Sequence, residues 1–131
     1  MPRVFVIYAT KDSSFYDRLA EQARSARLAV EFERMQSKLP WVPEWKAQSR
    51  AKIYRCDAAI VLLSKNIAEG GLAWELQCAR EFDIPMLGVH LDKFDKAPPP
   101  KELEDSTVIE WNWPAIARFL QSLSKGSSAA V

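Results

Sequence analysis

Short apolar runs rich in β-branched residues alternate with stretches of helical periodicity along this chain. Arg3-Val4-Phe5-Val6-Ile7-Tyr8 reads as a strand buried on both faces. Ser14 with Asp17 three residues on has the form of a capping box, and Phe15, Leu19, Ala23 and Ala26 then make one apolar stripe at helical spacing. Leu28 to Phe32 is a weaker second strand. Pro40 and Pro43 bracket Trp41-Val42, with Met35 and Trp45 close by, so residues 33–44 read as a loop that carries aromatics. A helix over residues 44–57 follows, then Ala58 to Leu63, the clearest central strand. After Gly70-Gly71, Leu72, Leu76 and Ala79 predict a helix ending near Asp83, and Met86 to Leu91 is the next strand. Pro98-Pro99-Pro100 predicts an exposed, extended connection. Thr107 to Ile109 is a short edge strand, and Asn112 caps a last helix with Pro114 in its first turn and Ile116, Phe119, Leu120 and Leu123 facing the core.

Strands alternating with helices of this length predict βαβ units and an α/β fold with a parallel sheet covered on both faces. Five strands, the second weak and the fifth at an edge, suggest the flavodoxin-like order 2-1-3-4-5. Ligands in such sheets bind beyond the carboxyl ends of the strands, near the switch point between strands 1 and 3. That rule selects Ala9 to Asp12, Glu33 to Trp45 and Ser64 to Glu75.

The chain has 131 residues, one domain in size, over 1–124, with a Ser/Ala-rich tail at 125–131 expected to be disordered. Its 18 Lys and Arg against 17 Asp and Glu leave a net charge of +1, which gives no electrostatic reason to expect nucleic acid or an anionic membrane as partner. No apolar run approaches the roughly 18 residues of a membrane span, and no leader precedes the first strand, so a cytoplasmic protein is expected. Cys56 and Cys78 lack CxxC spacing, and His90 stands without a cysteine or acidic cluster, so no metal site is expected. Neither GxGxxG nor GxxxxGK[ST] occurs, and Ala9-Thr10 and Ser64-Lys65 stand where a phosphoryl-accepting receiver domain needs acids.

The candidate chemistry centres on Trp74-Glu75. Glu75 lies about 60° from the line of Leu72 at about 100° per residue, so it flanks the buried stripe in the first helical turn. A carboxylate there suits stabilisation of an oxocarbenium-like ribose as a leaving group departs. The same position suits a glutamate that only complements the helix dipole. Met35, Trp41, Trp45 and Trp74 could wall a flat heteroaromatic ring, or pack the loop onto the sheet or onto another subunit. Trp111 and Trp113 are assigned to packing, His90 to a hydrogen-bonded structural role, and Lys11-Asp12 to loop chemistry before a helix.

Val4 to Asp12 resembles the opening strand of TIR domains, and Cys56 to Ser64 is similar to their central strand. Trp74-Glu75-Leu76 through Ala79, followed by Ile84 to Val89, resembles their third helix and fourth strand. The aromatic-Glu-apolar pattern and the Gly-Val-His-Leu-Asp ending are most similar to the TIR-like family of bacterial Thoeris anti-phage systems. The chain departs from the family where Phe32-Glu33 replaces Trp-x-Asp and where Gly71 takes the place of a tryptophan four residues before the glutamate.

The resemblance implies an enzyme that cleaves the nicotinamide–ribose bond of NAD, with NAD as substrate and no cofactor. Its catalytic glutamate falls on Glu75; Tyr8, Ala9 and Thr10 line the pocket floor, and Phe32, Met35, Trp41, Trp45 and Trp74 supply the walls. The product is linear, cyclic or conjugated ADP-ribose, a signal that in defence systems activates a separate effector protein. Self-association is expected as well. Two other readings stand beside it: a non-enzymatic TIR-type assembly module, and a nucleoside deoxyribosyltransferase-like enzyme, which shares the fold and a glutamate acting on an N-glycosidic bond.

Overall fold

In the computed structural model the described residues are 1–35, 44–67, 71–94, 96 and 98–129, with 124–129 as backbone only. Five strands form one parallel sheet: β1 (Arg3–Ile7), β2 (Glu31–Glu33), β3 (Ala58–Leu63), β4 (Met86–His90) and β5 (Thr107–Glu110). Their spatial order is β2-β1-β3-β4-β5, the flavodoxin-like arrangement expected from how often this fold joins five such strands. The connecting helices are α1 (Ser13–Ser25), α2 (Glu44–Tyr54), α3 (Leu72–Glu81) and α4 (Trp113–Ala129).

Alternation along the strands sorts the core into two faces. Phe5, Ile7, Ala9, Ala59, Val61 and Leu63 pack with Ile53 of α2 and Leu72, Leu76 and Ala79 of α3. Val4, Val6, Tyr8, Ile60 and Leu62 pack with Leu19 of α1 and Ile116 and Leu120 of α4. Every residue of β3 is buried, which is why its sequence is a continuous apolar run rather than an alternating one. Each such aliphatic side chain removed from water contributes about 1.5–3 kcal/mol.

Two glycines are required by geometry. Gly71 precedes α3 with φ at 96°, a region that other residues rarely adopt. Gly88 sits where a Cβ would come within 3.1 Å of Val108, 3.2 Å of Leu63 and 3.3 Å of Leu103. Leu103, in a 3₁₀ turn at Lys101–Leu103, is thereby drawn fully into the core beside β4.

Several boundaries differ from the sequence reading. Ser14 does not cap α1: a 3₁₀ turn at Thr10–Asp12 runs directly into a helix that starts at Ser13. The second strand begins at Glu31 because Leu28 is spent closing α1, its N–H donating to Ala23 O at 3.0 Å while Arg27 turns left-handed at φ 56°. The second helix stops at Tyr54, and Asp57 instead accepts the backbone N–H of Arg3 at 2.8 Å. Helical backbone of the last helix runs to Ala129.

Ion pairs stitch the margins. At the outer strands Arg3 holds Glu31 at 3.0 Å, Lys52 holds Glu33 at 3.9 Å and Lys96 holds Glu110 at 2.5 Å. Arg50 of α2 clamps Glu81 of α3 with both guanidinium nitrogens, at 3.0 and 2.9 Å, and lies 4.7 Å above the Phe82 ring. That fork lowers the Glu81 carboxyl below its ordinary range. Among the described residues no helix is long and apolar enough to cross a membrane.

Candidate functional site

A parallel sheet carries the residues that follow every strand to one edge. Tyr8 and Ala9 follow β1, Arg34 and Met35 follow β2, Ser64 follows β3, Leu91 follows β4 and Trp111 follows β5. The N-terminus of α3 reaches the same edge, with Glu75 in its first turn. Glu75 is 0% exposed, the most buried charged side chain among the described residues. It sits among the buried residues of α3, Leu72, Leu76, Cys78 and Ala79, on the face shared with α2. An ionised carboxylate is costly to take out of water, and a glutamate at such depth is uncommon. The same burial pushes the Cys78 thiol up, with Glu75 adding to that shift.

The predicted site residues divide between the two faces. Ala9, Met35 and Trp45 belong to the apolar cluster of the α2–α3 face, and Trp74 packs against it. Tyr8 and Phe32 lie on the opposite face, because side chains of neighbouring strand positions point to opposite sides. Thr10 is exposed in the first 3₁₀ turn. Trp41 and Gly70 lie outside the described residues. Trp74 is tied to α2: its indole N–H donates to Lys46 O at 3.1 Å, and the Lys46 ammonium stands 5.4 Å from its ring.

Tyr8 has a close set of partners. Its ring stacks on Tyr16 at 5.4 Å, and its hydroxyl accepts a hydrogen bond from Arg34 at 3.1 Å. The Arg34 guanidinium lies 4.1 Å above the Tyr16 ring, while Phe32 meets that ring edge-on at 6.5 Å. Burial raises the Tyr16 hydroxyl above its ordinary value, and Arg34 beside it opposes the rise. Phe32, Met35, Arg34, Gln48 and Lys52 line an open cleft of 370 Å³ at the end of β2.

A larger cleft of 520 Å³ opens at the ends of β3, β4 and β5. Here Asp12 and Ser64, both buried, share a hydrogen bond of 2.6 Å, and the amide of Asn66 donates to the other Asp12 oxygen at 3.3 Å. His90 and Trp111 stand on the walls, each with one buried ring nitrogen that has no hydrogen-bond partner among the described residues. Glu75 lines neither cleft. Trp111, assigned to packing in the sequence, does pack against the α1–α4 face, its ring centroid 5.9 Å from that of Phe15, and Asp12 closes the turn after β1. Among the described residues no group of three or more histidine, cysteine, aspartate or glutamate side chains could hold a metal ion.

The sequence matches no protein-family model and no curated protein. The fold does have relatives among solved structures. A 2-deoxyribosyltransferase from Bacillus psychrosaccharolyticus superimposes with a TM-score of 0.67 at 12% identity, over 87% of this chain and 89% of that one. A conserved protein from Enterococcus faecalis V583 gives a TM-score of 0.67 at 12% identity, over 95% and 98%. A prokaryotic SEFIR domain gives 0.55 at 16% identity, over 95% and 91%. At these identities the likeness is one of fold: flavodoxin-like, and TIR-like in the manner of the SEFIR domain.

Proposed function

We propose that this chain is a TIR-like enzyme that breaks the nicotinamide–ribose bond of NAD, with Glu75 as its catalytic carboxylate. The observation that carries the reading is the placement of Glu75: a fully buried glutamate in the first turn of α3, at the sheet edge where this fold binds ligands. The resemblance of Trp74-Glu75 and the flanking strands to TIR-like sequences supports the same residue.

The chemistry asks little of the protein beyond one well-placed negative charge. The C–N bond breaks with its electron pair passing to the nicotinamide ring, which leaves neutral. Positive charge grows at the ribose carbon as it leaves. A carboxylate held away from water stabilises that charge far more than an exposed one does. Water then adds to the ribosyl carbon and loses a proton, giving ADP-ribose; a hydroxyl or amine in place of water gives a cyclic or conjugated product. Met35 and Trp45, on the same face, are the described residues suited to wall the leaving ring. A product used as a signal for a separate effector, in anti-phage defence, agrees with the Thoeris-like motif set, and self-association of the domain agrees with TIR-type behaviour.

Incubation with NAD followed by mass spectrometry tests the reading. Wild-type protein is expected to release nicotinamide, and Glu75→Gln, folded as judged by circular dichroism, is expected to lose about 10²–10³ of that rate. Equal turnover by both proteins would overturn it.

A second reading rests on the fold shared with the 2-deoxyribosyltransferase. In it Glu75 attacks the sugar carbon of a deoxynucleoside and a second base displaces it. Base exchange between two deoxynucleosides, without nicotinamide release from NAD, would select this reading over the first.

A further inference from the structure

We propose that α2 is a gate over Glu75, closed by its hold on α3, and that a substrate reaches the carboxylate when α2 lifts away. The proposal rests on the reading of Glu75 as the catalytic group. Glu75 is 0% exposed, so a molecule that is to meet it needs an opening. Helix geometry shows which neighbours enclose it. At about 100° per residue, Trp74, Cys78 and Glu81 fall within about 60° of one another on one side of α3. Leu72, Leu76 and Ala79 fall within about 60° of one another on another side, and Glu75 projects between the two rows. The second row packs on the sheet. The first meets α2: Trp74 donates to Lys46 O at 3.1 Å, Cys78 Sγ lies 3.9 Å from an Arg50 nitrogen, and Glu81 accepts the Arg50 fork at 3.0 and 2.9 Å. The carboxylate thus lies in the wedge between the sheet and α2.

Of those two walls, α2 is the one able to move. The sheet is the centre of the fold, every residue of β3 being buried. Of the 11 residues of α2, those buried are Trp45, Ser49 and Ile53. The middle one is a serine whose hydroxyl donates back to Lys46 O of its own helix at 3.0 Å. Two apolar side chains therefore anchor the helix to the core. The rest of its hold on α3 is polar: the Trp74–Lys46 bond, and the Arg50–Glu81 fork, whose side chains are 39% and 55% exposed. Contacts so close to solvent are weak one by one, and elements that depend on them open before the fold as a whole does. Bidentate geometry makes the fork the firmest of these contacts. Arg50–Glu81 is accordingly the catch of the gate.

Cys78 reports the opening without any turnover. It is 1% exposed and meets α2 from the same row as Trp74. Labelling by a fluorescent maleimide is followed in a Cys56→Ala background, which leaves Cys78 as the one thiol. Hydrogen exchange of the β3 amides, measured beside it, reports global unfolding. Arg50→Lys keeps the positive charge beside Cys78 and loses the fork. It is expected to label Cys78 about threefold faster or more, at unchanged β3 exchange, and to raise kcat/KM for NAD by a similar factor. Unchanged labelling would overturn the proposal, and so would labelling that quickens only together with β3 exchange. Faster labelling at unchanged kcat/KM would overturn it too, since α2 would then open without governing access. Absence of nicotinamide release from the wild type would instead overturn the reading of Glu75, while labelling and exchange still decide whether α2 opens.

Discussion

Asp12 and Ser64, 52 positions apart in the chain, meet at 2.6 Å beneath the edge where the sheet ends. Ser64 also accepts the backbone N–H of Asn66 at 3.0 Å, so one hydroxyl joins the turn after β1 to the turn after β3. Removing it leaves a buried carboxylate short of a donor. Ser64→Ala is therefore expected to lose about 1–3 kcal/mol of stability in urea denaturation. A change smaller than about 0.5 kcal/mol would show that water replaces the hydroxyl at no cost.

Trp74 offers a test of packing against substrate contact. Its N–H bond to Lys46 ties α3 to α2. Trp74→Phe is expected to lower stability by about 1 kcal/mol through the lost hydrogen bond. Trp74→Leu, which removes the flat face as well, is expected to leave KM for NAD unchanged. A several-fold rise in KM at constant kcat would instead make the indole part of the substrate wall.

Gly88→Ala places a methyl group against Val108, Leu63 and Leu103 at 3.1–3.3 Å. Overpacking of this kind costs about 1–3 kcal/mol. The double variant Gly88→Ala with Val108→Ala is expected to recover part of that loss, because Val108 Cγ2 is the nearest of the three. Full additivity of the two changes in thermal denaturation would show that the strain is relieved elsewhere.

Alkaline stability follows from Cys56. Burial pushes its thiol from the ordinary value of 9.0 up to about 12, with Glu33 and Asp57 adding to the shift. The unfolded chain releases that proton near pH 9 and the folded one only near 12. Stability is therefore complete below the lower value and falls as pH rises through the window between them. Unfolding followed across that window is expected to show a shallower decline in Cys56→Ala than in the wild type. An unchanged slope would assign the decline to other groups.

The parts of this fold that are legible in sequence are those whose signal is local. β3 is an uninterrupted apolar run, and Asn112 indeed caps α4, its side chain accepting from Ala115 N–H at 3.2 Å. β2 is less legible because it has only three residues, none of them buried, and because the residues before it serve the end of α1. The turn that buries Leu103 follows three prolines and has no periodicity to announce it. The site divides in the same way. Glu75 is visible because a helix start and an apolar stripe fix its position. The Asp12–Ser64–Asn66 cluster is not, since a hydrogen bond between distant turns leaves no periodic trace. The separation of Tyr8 from Ala9 is implicit in strand alternation, but it matters only once the helix above each face is known.

The glutamates on the outer strands have a consequence for how copies of this domain can meet. Glu31 and Glu33 mark one margin of the sheet and Glu110 the other, each held by a cation of its own chain. A second molecule laying its margin alongside would bring carboxylates against carboxylates and displace the cations that hold them. Fibre-like growth by strand addition is thereby disfavoured, and copies that gather are left to do so through helices and connecting turns.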